Sequence, residues 1–207
     1  MYKSDKYSKT DKQYIFNFIN ENPFATFILQ GESLLATHIP VITKGDASSF
    51  TLEAHIANIN PQVNYLKEDK EVLFIFKSAD HYISSSWYNY KDISTWDYSA
   101  VHINAKLHLQ TKSQLKSSLE KLVYRFEKDV QNPEFYKDLP SKLIQQHLPK
   151  ITGFTATPVE INAIAKLHQG FDEKNINSVI SHLKNQKCPM AAKLSEEISQ
   201  ENKDKIF

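Results

Sequence analysis

The sequence predicts a mainly β, α+β fold: an antiparallel sheet or barrel with helices set apart from it. Three observations carry that prediction. Short apolar runs between Pro23 and Ile56 are separated by turn residues at hairpin spacing. Val101, Ile103, Ala105, Leu107 and Leu109 alternate with His102, Asn104, Lys106 and His108, the period of a half-buried strand. Helical periodicity dominates only later in the chain, from about residue 113. The 207 residues correspond to roughly 1.4 average domains. A single domain over 1–207 is therefore expected, with helical additions at about 113–148 and 172–202.

Each element has a local cause. Thr10 and Gln13 fit a capping box before Tyr14, Ile15, Phe18 and Ile19 at helical spacing, and Pro23 ends that helix. Phe24–Leu29 and Ser33–Val41 flank Gln30-Gly31-Glu32 and predict a hairpin. A second turn at Lys44-Gly45-Asp46 leads into a strand over Phe50–Ile56. Asn60-Pro61 reads as an N-cap followed by proline at the first helical position, opening a short helix to about Leu66. Val72–Phe76 predicts a buried strand. Leu115, Leu119, Leu122, Val123 and Phe126 predict an amphipathic helix over about 113–129. A short helix over 141–148, an extended segment over 152–164 and a helix carrying Ile176, Val179, Ile180 and Leu183 follow. Leu194 and Ile198 mark a last helix after Pro189, a candidate partner surface unless it packs on its own domain.

Composition excludes several function classes. Lys+Arg is 25 against Asp+Glu 24, a net charge of +1, and Arg125 is the sole arginine. Arginine forks to guanine or phosphate are thus nearly absent, which argues against direct DNA reading by this chain. Cys188 is the single cysteine, so neither an intrachain disulfide nor a cysteine-rich zinc site can form. No apolar run reaches the roughly 18 residues of a bilayer span. The polar segment Met1–Lys12 precedes no apolar signal core, so a cytoplasmic location is expected. Neither GxGxxG nor GxxxxGK[ST] occurs, nor HExxH, an HxxxH pair or GxSxG. Carboxylates are sparse in the strand-rich stretch, which disfavours a paired-carboxylate mechanism.

Three clusters could carry chemistry. Between Asp80 and His102 stand both tryptophans, Trp87 and Trp96, with Tyr82, Tyr88, Tyr90 and Tyr98 and hydroxyls at Ser84, Ser85, Ser86, Ser94 and Thr95. Rings beside short hydroxyl side chains suit a flat heteroaromatic ligand with a polar edge; they equally suit a core strand pair whose phenols reach backbone carbonyls. His55, Asn58, Asn60 and Gln62 run from a strand into a helix start, where free N–H groups favour an anion, or where Asn60 simply caps. Thr37 and His38 lie on an otherwise apolar strand, where a histidine is commonly a satisfied core residue.

These clusters resemble the PaiB family, the FMN-binding negative transcriptional regulators. The resemblance runs through Met1-Tyr2 with Asp11, Pro23-Phe24-Ala25-Thr26, Ala36-Thr37-His38-Ile39-Pro40 and His55-Ile-Ala-Asn58-Ile-Asn60-Pro61-Gln62. It continues through Tyr82-Ile83-Ser84-Ser85-Ser86-Trp87-Tyr88, Thr95-Trp96-Asp97-Tyr98-Ser99-Ala100-Val101-His102, Ile151-Thr152-Gly153-Phe154 and Lys166-Leu167-His168-Gln169. It implies a closed six-stranded antiparallel split barrel with flanking helices, a homodimer, and FMN held near the dimer interface. Combined with the residue chemistry, it implies that Trp87, Tyr88, Trp96 and Tyr98 wall the isoalloxazine. Ser84, Thr95, Thr37 and His38 then bond its polar edge or ribityl chain, and Asn58, Asn60, Gln62 and Lys166 face the phosphate. His55, Tyr82 and Gln169 complete the candidate set; no metal ligand or catalytic residue is assigned.

Three positions depart from the family pattern: Ser85 replaces a proline, Asp97 an asparagine, and Phe171 a basic residue. One missing cation is expected to weaken phosphate binding roughly ten- to a hundredfold, and Asp97 is expected to repel a phosphate lying close to it. The leading expectation is a dimeric FMN-binding regulatory or sensing protein, acting on a protein partner if it regulates transcription. The alternative is an FMN-dependent oxidoreductase using NAD(P)H, with His38 or His102 as the available acid or base.

Overall fold

The computed structural model describes residues 1–2 and 4–206. Eight strands form one sheet in the order β3-β2-β6-β7-β8-β5-β4, with β1 paired to β8. They are β1 (Ser8–Lys9), β2 (Phe24–Gln30), β3 (Leu34–Pro40), β4 (Ile42–Gly45), β5 (Phe50–Ala57), β6 (Glu71–Ile83), β7 (Thr95–Leu109) and β8 (Ile151–Lys166). The helices are α1 (Lys12–Glu21), α2 (Lys112–Glu127), α3 (Ser141–His147), α4 (Glu173–Lys184) and α5 (Pro189–Glu201). The sheet with flanking helices agrees with the expected fold class, but the count is eight strands rather than six. The surplus is β1, two residues long, and β4, four residues long. Neither is long enough to show a period. β4 exists because Gly45 turns the chain at φ +116°, where a Cβ would stand 2.3 Å from the Ser49 carbonyl oxygen.

The chain divides into two compact units. One, the hairpin unit, comprises residues 12–76 and 102–161; the other, the aromatic unit, comprises 1–11, 77–101 and 162–207. In the hairpin unit, Ala25, Phe27 and Leu29 alternate inward along β2. Phe27 packs at 5.1 Å on both Phe74 and Phe154, and burying each such ring stabilises by about 1.5–3 kcal/mol. Val101, Ile103, Ala105 and Leu107 are buried as their alternation predicts, but Leu109 is exposed. There the strand ends: the Leu109 N–H donates to Glu68 Oε1 at 2.7 Å, and Thr111 opens α2 through a reciprocal capping box with Gln114.

In the aromatic unit, α4 packs against α5 through Ile176, Val179, Leu183, Ala191, Leu194 and Ile198, all fully buried. The apolar stripe of the last helix is therefore spent on its own unit. No helix among the described residues is long and apolar enough to cross a membrane.

Candidate functional site

Six of the candidate residues lie in the hairpin unit and nine in the aromatic unit. In the aromatic unit, β6 ends at Ile83 and a single 3-10 turn, Ser85–Trp87, carries the chain out of the sheet. Ser84 caps it: its Oγ accepts from the Ser86 N–H at 3.2 Å and lies 2.8 Å from Ser86 Oγ. Trp87 then stacks with two imidazoles, His182 at 5.1 Å and 11° and His81 at 6.5 Å and 24°. Its carbonyl accepts from Ser178 Oγ at 2.6 Å. The next residue, Tyr88, is buried beside Phe171 at 5.5 Å, His168 at 5.7 Å and Tyr90 at 6.3 Å. Burial, then the nearby Asp97 carboxylate, push its phenol up to about 12, so it stays protonated across ordinary pH.

Where β7 begins, the arrangement differs. Trp96 is 55% exposed, and among the described residues its ring pairs with Tyr82 alone, edge to face, at 6.1 Å and 66°. Lys166 on β8 reaches this strand end: its ammonium donates to Thr95 Oγ1 and, at 2.6 Å, to the Trp96 carbonyl, and lies 3.6 Å from Asp97 Oδ1. Asp97 is 1% exposed and its other oxygen accepts from Nδ1 of His168. His168 stands at φ +62° with Nε2 buried and without a hydrogen-bond partner among the described residues, and stacks on Phe171 at 4.4 Å. Two of the three departures, Asp97 and Phe171, thus touch the same imidazole. The Asp97 charge is compensated inside the unit, which answers the repulsion expected from the sequence. Lys6 lies 5.7 Å over the Phe171 ring, so a cation returns to this corner from another segment. Gln169 is committed to the backbone: Nε2 donates to the Ala165 carbonyl at 2.6 Å and to Glu201 at 3.0 Å, and Oε1 accepts from the Leu167 N–H. Tyr98 is half-buried on β7.

In the hairpin unit, Thr37 lies half-buried on the inward face of β3 and His38 is exposed on the outward face, stacked on Phe24 at 6.1 Å. His38 is therefore not a core histidine. His55 is half-buried on β5 opposite Gly153 of β8, and burial holds its pKa below the usual histidine range. Asn58 joins the loop to the start of β8: Nδ2 donates to the Pro149 carbonyl at 2.9 Å and Oδ1 accepts from Thr152 Oγ1 at 2.7 Å. Asn60 caps the 3-10 turn Pro61–Tyr65 by accepting from the Gln62 N–H at 2.9 Å. Gln62 is 2% exposed and donates to the Phe27 and Leu35 carbonyls. Of these amides, Asn60 alone shows no hydrogen bond from its NH2 among the described residues.

No group of three or more metal-ligating side chains is found among the described residues. The sequence reading missed His81, His168 and His182. His168 stands inside one of the quoted motifs, but its pairing with Asp97 spans 71 positions and left no local signal.

Residues 1–160 match the family described as "Putative FMN-binding domain". The chain is 32% identical over 208 residues, covering all of both chains, to "Protease synthase and sporulation protein PAI 2" of Bacillus subtilis. Among solved structures, the FAD and heme binding protein from Mycobacterium smegmatis is similar at a TM-score of 0.58 and 14% identity, covering 83% of this chain and 79% of that one. The flavocytochrome Anf3 from Azotobacter vinelandii is similar at 0.56 and 13% identity, covering 82% and 74%. These two likenesses show the fold. The full-length relationship shows the family: this chain belongs to the PaiB family of FMN-binding split-barrel proteins, with FMN as its cofactor.

Proposed function

We propose that the chain is a homodimeric FMN-binding protein that senses or regulates, with the flavin ring seated at the start of β7. One observation carries this reading: the exposed Trp96 indole and the Lys166 ammonium meet at one residue, the lysine donating to the carbonyl of that same tryptophan. A flat exposed ring with amine and hydroxyl groups fixed at the same strand end fits a flat heteroaromatic group with a polar edge. Tyr82 meets the indole edge-on, and Thr95 supplies a hydroxyl at the same place. Trp87 and Tyr88 serve as supports rather than walls, because rings of the same unit already stack on them. FMN, when bound, supplies the ring that takes up and releases electrons; the protein's part is to hold and orient it. An apolar strip of the hairpin unit, with Leu34 and Val159 exposed beside Ile28 and Leu73, supports the dimer. The single arginine favours regulation through a protein partner over direct DNA binding.

The test is the absorbance spectrum of the protein as isolated, with thermal melts in added FMN. Flavin bands and a melting temperature that rises with FMN are expected; saturation at a hundred times Kd stabilises by about 2.7 kcal/mol. A colourless protein whose melting temperature ignores FMN overturns the reading. Steady consumption of NAD(P)H by the flavin-loaded protein transfers it to the oxidoreductases.

A further inference from the structure

The hairpin unit contains a cavity of about 720 Å³, with Asn58 at its lining. It lies between α2, which contributes Leu119 and Val123, and α3, which contributes Leu143 and Ile144. Its volume is in the range of small-molecule sites. The periodicity that predicted α2 required one buried apolar face, yet of Leu115, Leu119, Leu122, Val123 and Phe126 only Leu115 is buried. Leu119, Leu122 and Val123 are half-buried and Phe126 is exposed, so the helix has formed its stripe and the protein covers it only in part.

Two further observations indicate what covers it. Tyr136 lines the cavity and is itself 93% buried (7% exposed), but its hydroxyl has no hydrogen-bond partner among the described residues. A buried donor without an acceptor is costly, and a ligand in the cavity that lacks an acceptor for it leaves that cost in place. Burial and then the charge of Glu120 hold this phenol above its usual range, which keeps the donor proton in place. The charged groups of the lining are Lys150 and the titratable His147; no Asp or Glu lines the cavity. Both are exposed and make no ion pair among the described residues. The cavity therefore has an apolar body and a cationic rim.

We propose that this cavity binds an apolar carboxylate, its hydrocarbon part against Leu119 and Val123 and its carboxylate at Lys150 and His147. The assignment is independent of the flavin reading, since every residue it uses lies in the hairpin unit and none belongs to the Trp96–Lys166 arrangement. Decanoate titrated calorimetrically into the full-length protein, with decanol as the uncharged comparison, tests it. Saturable decanoate binding with a negative heat-capacity change is expected. Val123→Trp fills the cavity and is expected to weaken binding of both probes at least about tenfold, and Lys150→Gln to weaken decanoate by about tenfold while sparing decanol. Circular dichroism confirms that each variant is folded, and flavin absorbance in the same samples reports the other site separately. Absence of saturable binding up to about millimolar decanoate, or equal binding by Val123→Trp, overturns the proposal. So does a change of oligomeric state in Val123→Trp on gel filtration, which assigns the groove to a second copy of the chain.

Discussion

Trp87 and Trp96 stand nine positions apart in one tyrosine- and hydroxyl-rich segment, and they end in opposite situations. Trp87 leaves the sheet on a one-turn 3-10 segment and is stacked with His81 and His182, with its carbonyl tied to Ser178. Trp96 opens β7, stays more than half exposed, and among the described residues pairs its ring with Tyr82 alone. Composition treats the two indoles alike. The difference lies in what reaches them from elsewhere: α4 supplies His182 and Ser178 to the first, and β8 supplies Lys166 to the second. An aromatic cluster in this fold is thus part packing and part binding surface, and the free face identifies the binding part.

The comparison can be broken most severely at Asp97. Its carboxylate pairs with His168 and Lys166 in the interior of the aromatic unit. Asp97→Ala strands both partners and is expected to cost about 3–5 kcal/mol in chemical denaturation; a loss below ~1 kcal/mol means the cluster holds nothing together. Trp87→Ala comes next, at about 2 kcal/mol, because a half-buried, doubly stacked ring forfeits part of what a core aromatic forfeits. Its counterpart Trp96→Ala is expected to change stability by less than about 0.5 kcal/mol yet to lose most of the bound flavin. Flavin loss confined to Trp87→Ala reverses the roles assigned to the two indoles. Ser178→Ala removes the donor to the Trp87 carbonyl and is expected to cost about 1 kcal/mol with flavin retained.

The smallest effect is a pH slope at His55 in the hairpin unit. Burial depresses its folded pKa, so the unfolded chain takes up the proton first as pH falls. Its contribution is complete above the unfolded histidine pKa of about 6.5 and is lost as pH falls toward the depressed folded value. His102, also depressed by burial, acts in the same direction. Glu197 acts oppositely, because burial raises its carboxyl. Urea midpoints between about pH 7.5 and 5.5 should therefore fall less steeply in His55→Gln than in the parent; identical slopes remove His55 from the account.

Much of the fold was legible because its causes are local. The inward alternation of β2 and the central part of β7, the proline that ends α1 and the Asn60 cap all depend on residues within a few positions of one another. β6 shows where that legibility stops. Val72–Phe76 announces itself, but the strand continues through Lys77-Ser78-Ala79-Asp80-His81-Tyr82 to Ile83. Those polar and small residues carry no strand signal. They are extended because the sheet continues beside them and because Ser78 and Ala79 are buried, with Ser78 bonded to Glu197 of α5. The candidate site divides in the same way. Its residue types were readable, and Asn60 caps as its sequence neighbours require. That Gln62 would be tethered to β2 and β3, and Gln169 to the backbone of its own turn, was not readable.

The order of residues by itself determined the element periods, the turns, the aromatic stock of the middle segment and the near absence of arginine. Only tertiary structure decided that Asp97 meets His168 across 71 positions of chain, that His182 stacks on Trp87, and that α2 keeps a partly covered apolar face. The physical reason is range. Hydrophobic period and capping act within one or two turns of backbone, whereas charge compensation and ring stacking act between side chains that only the folded sheet and its helices bring within contact.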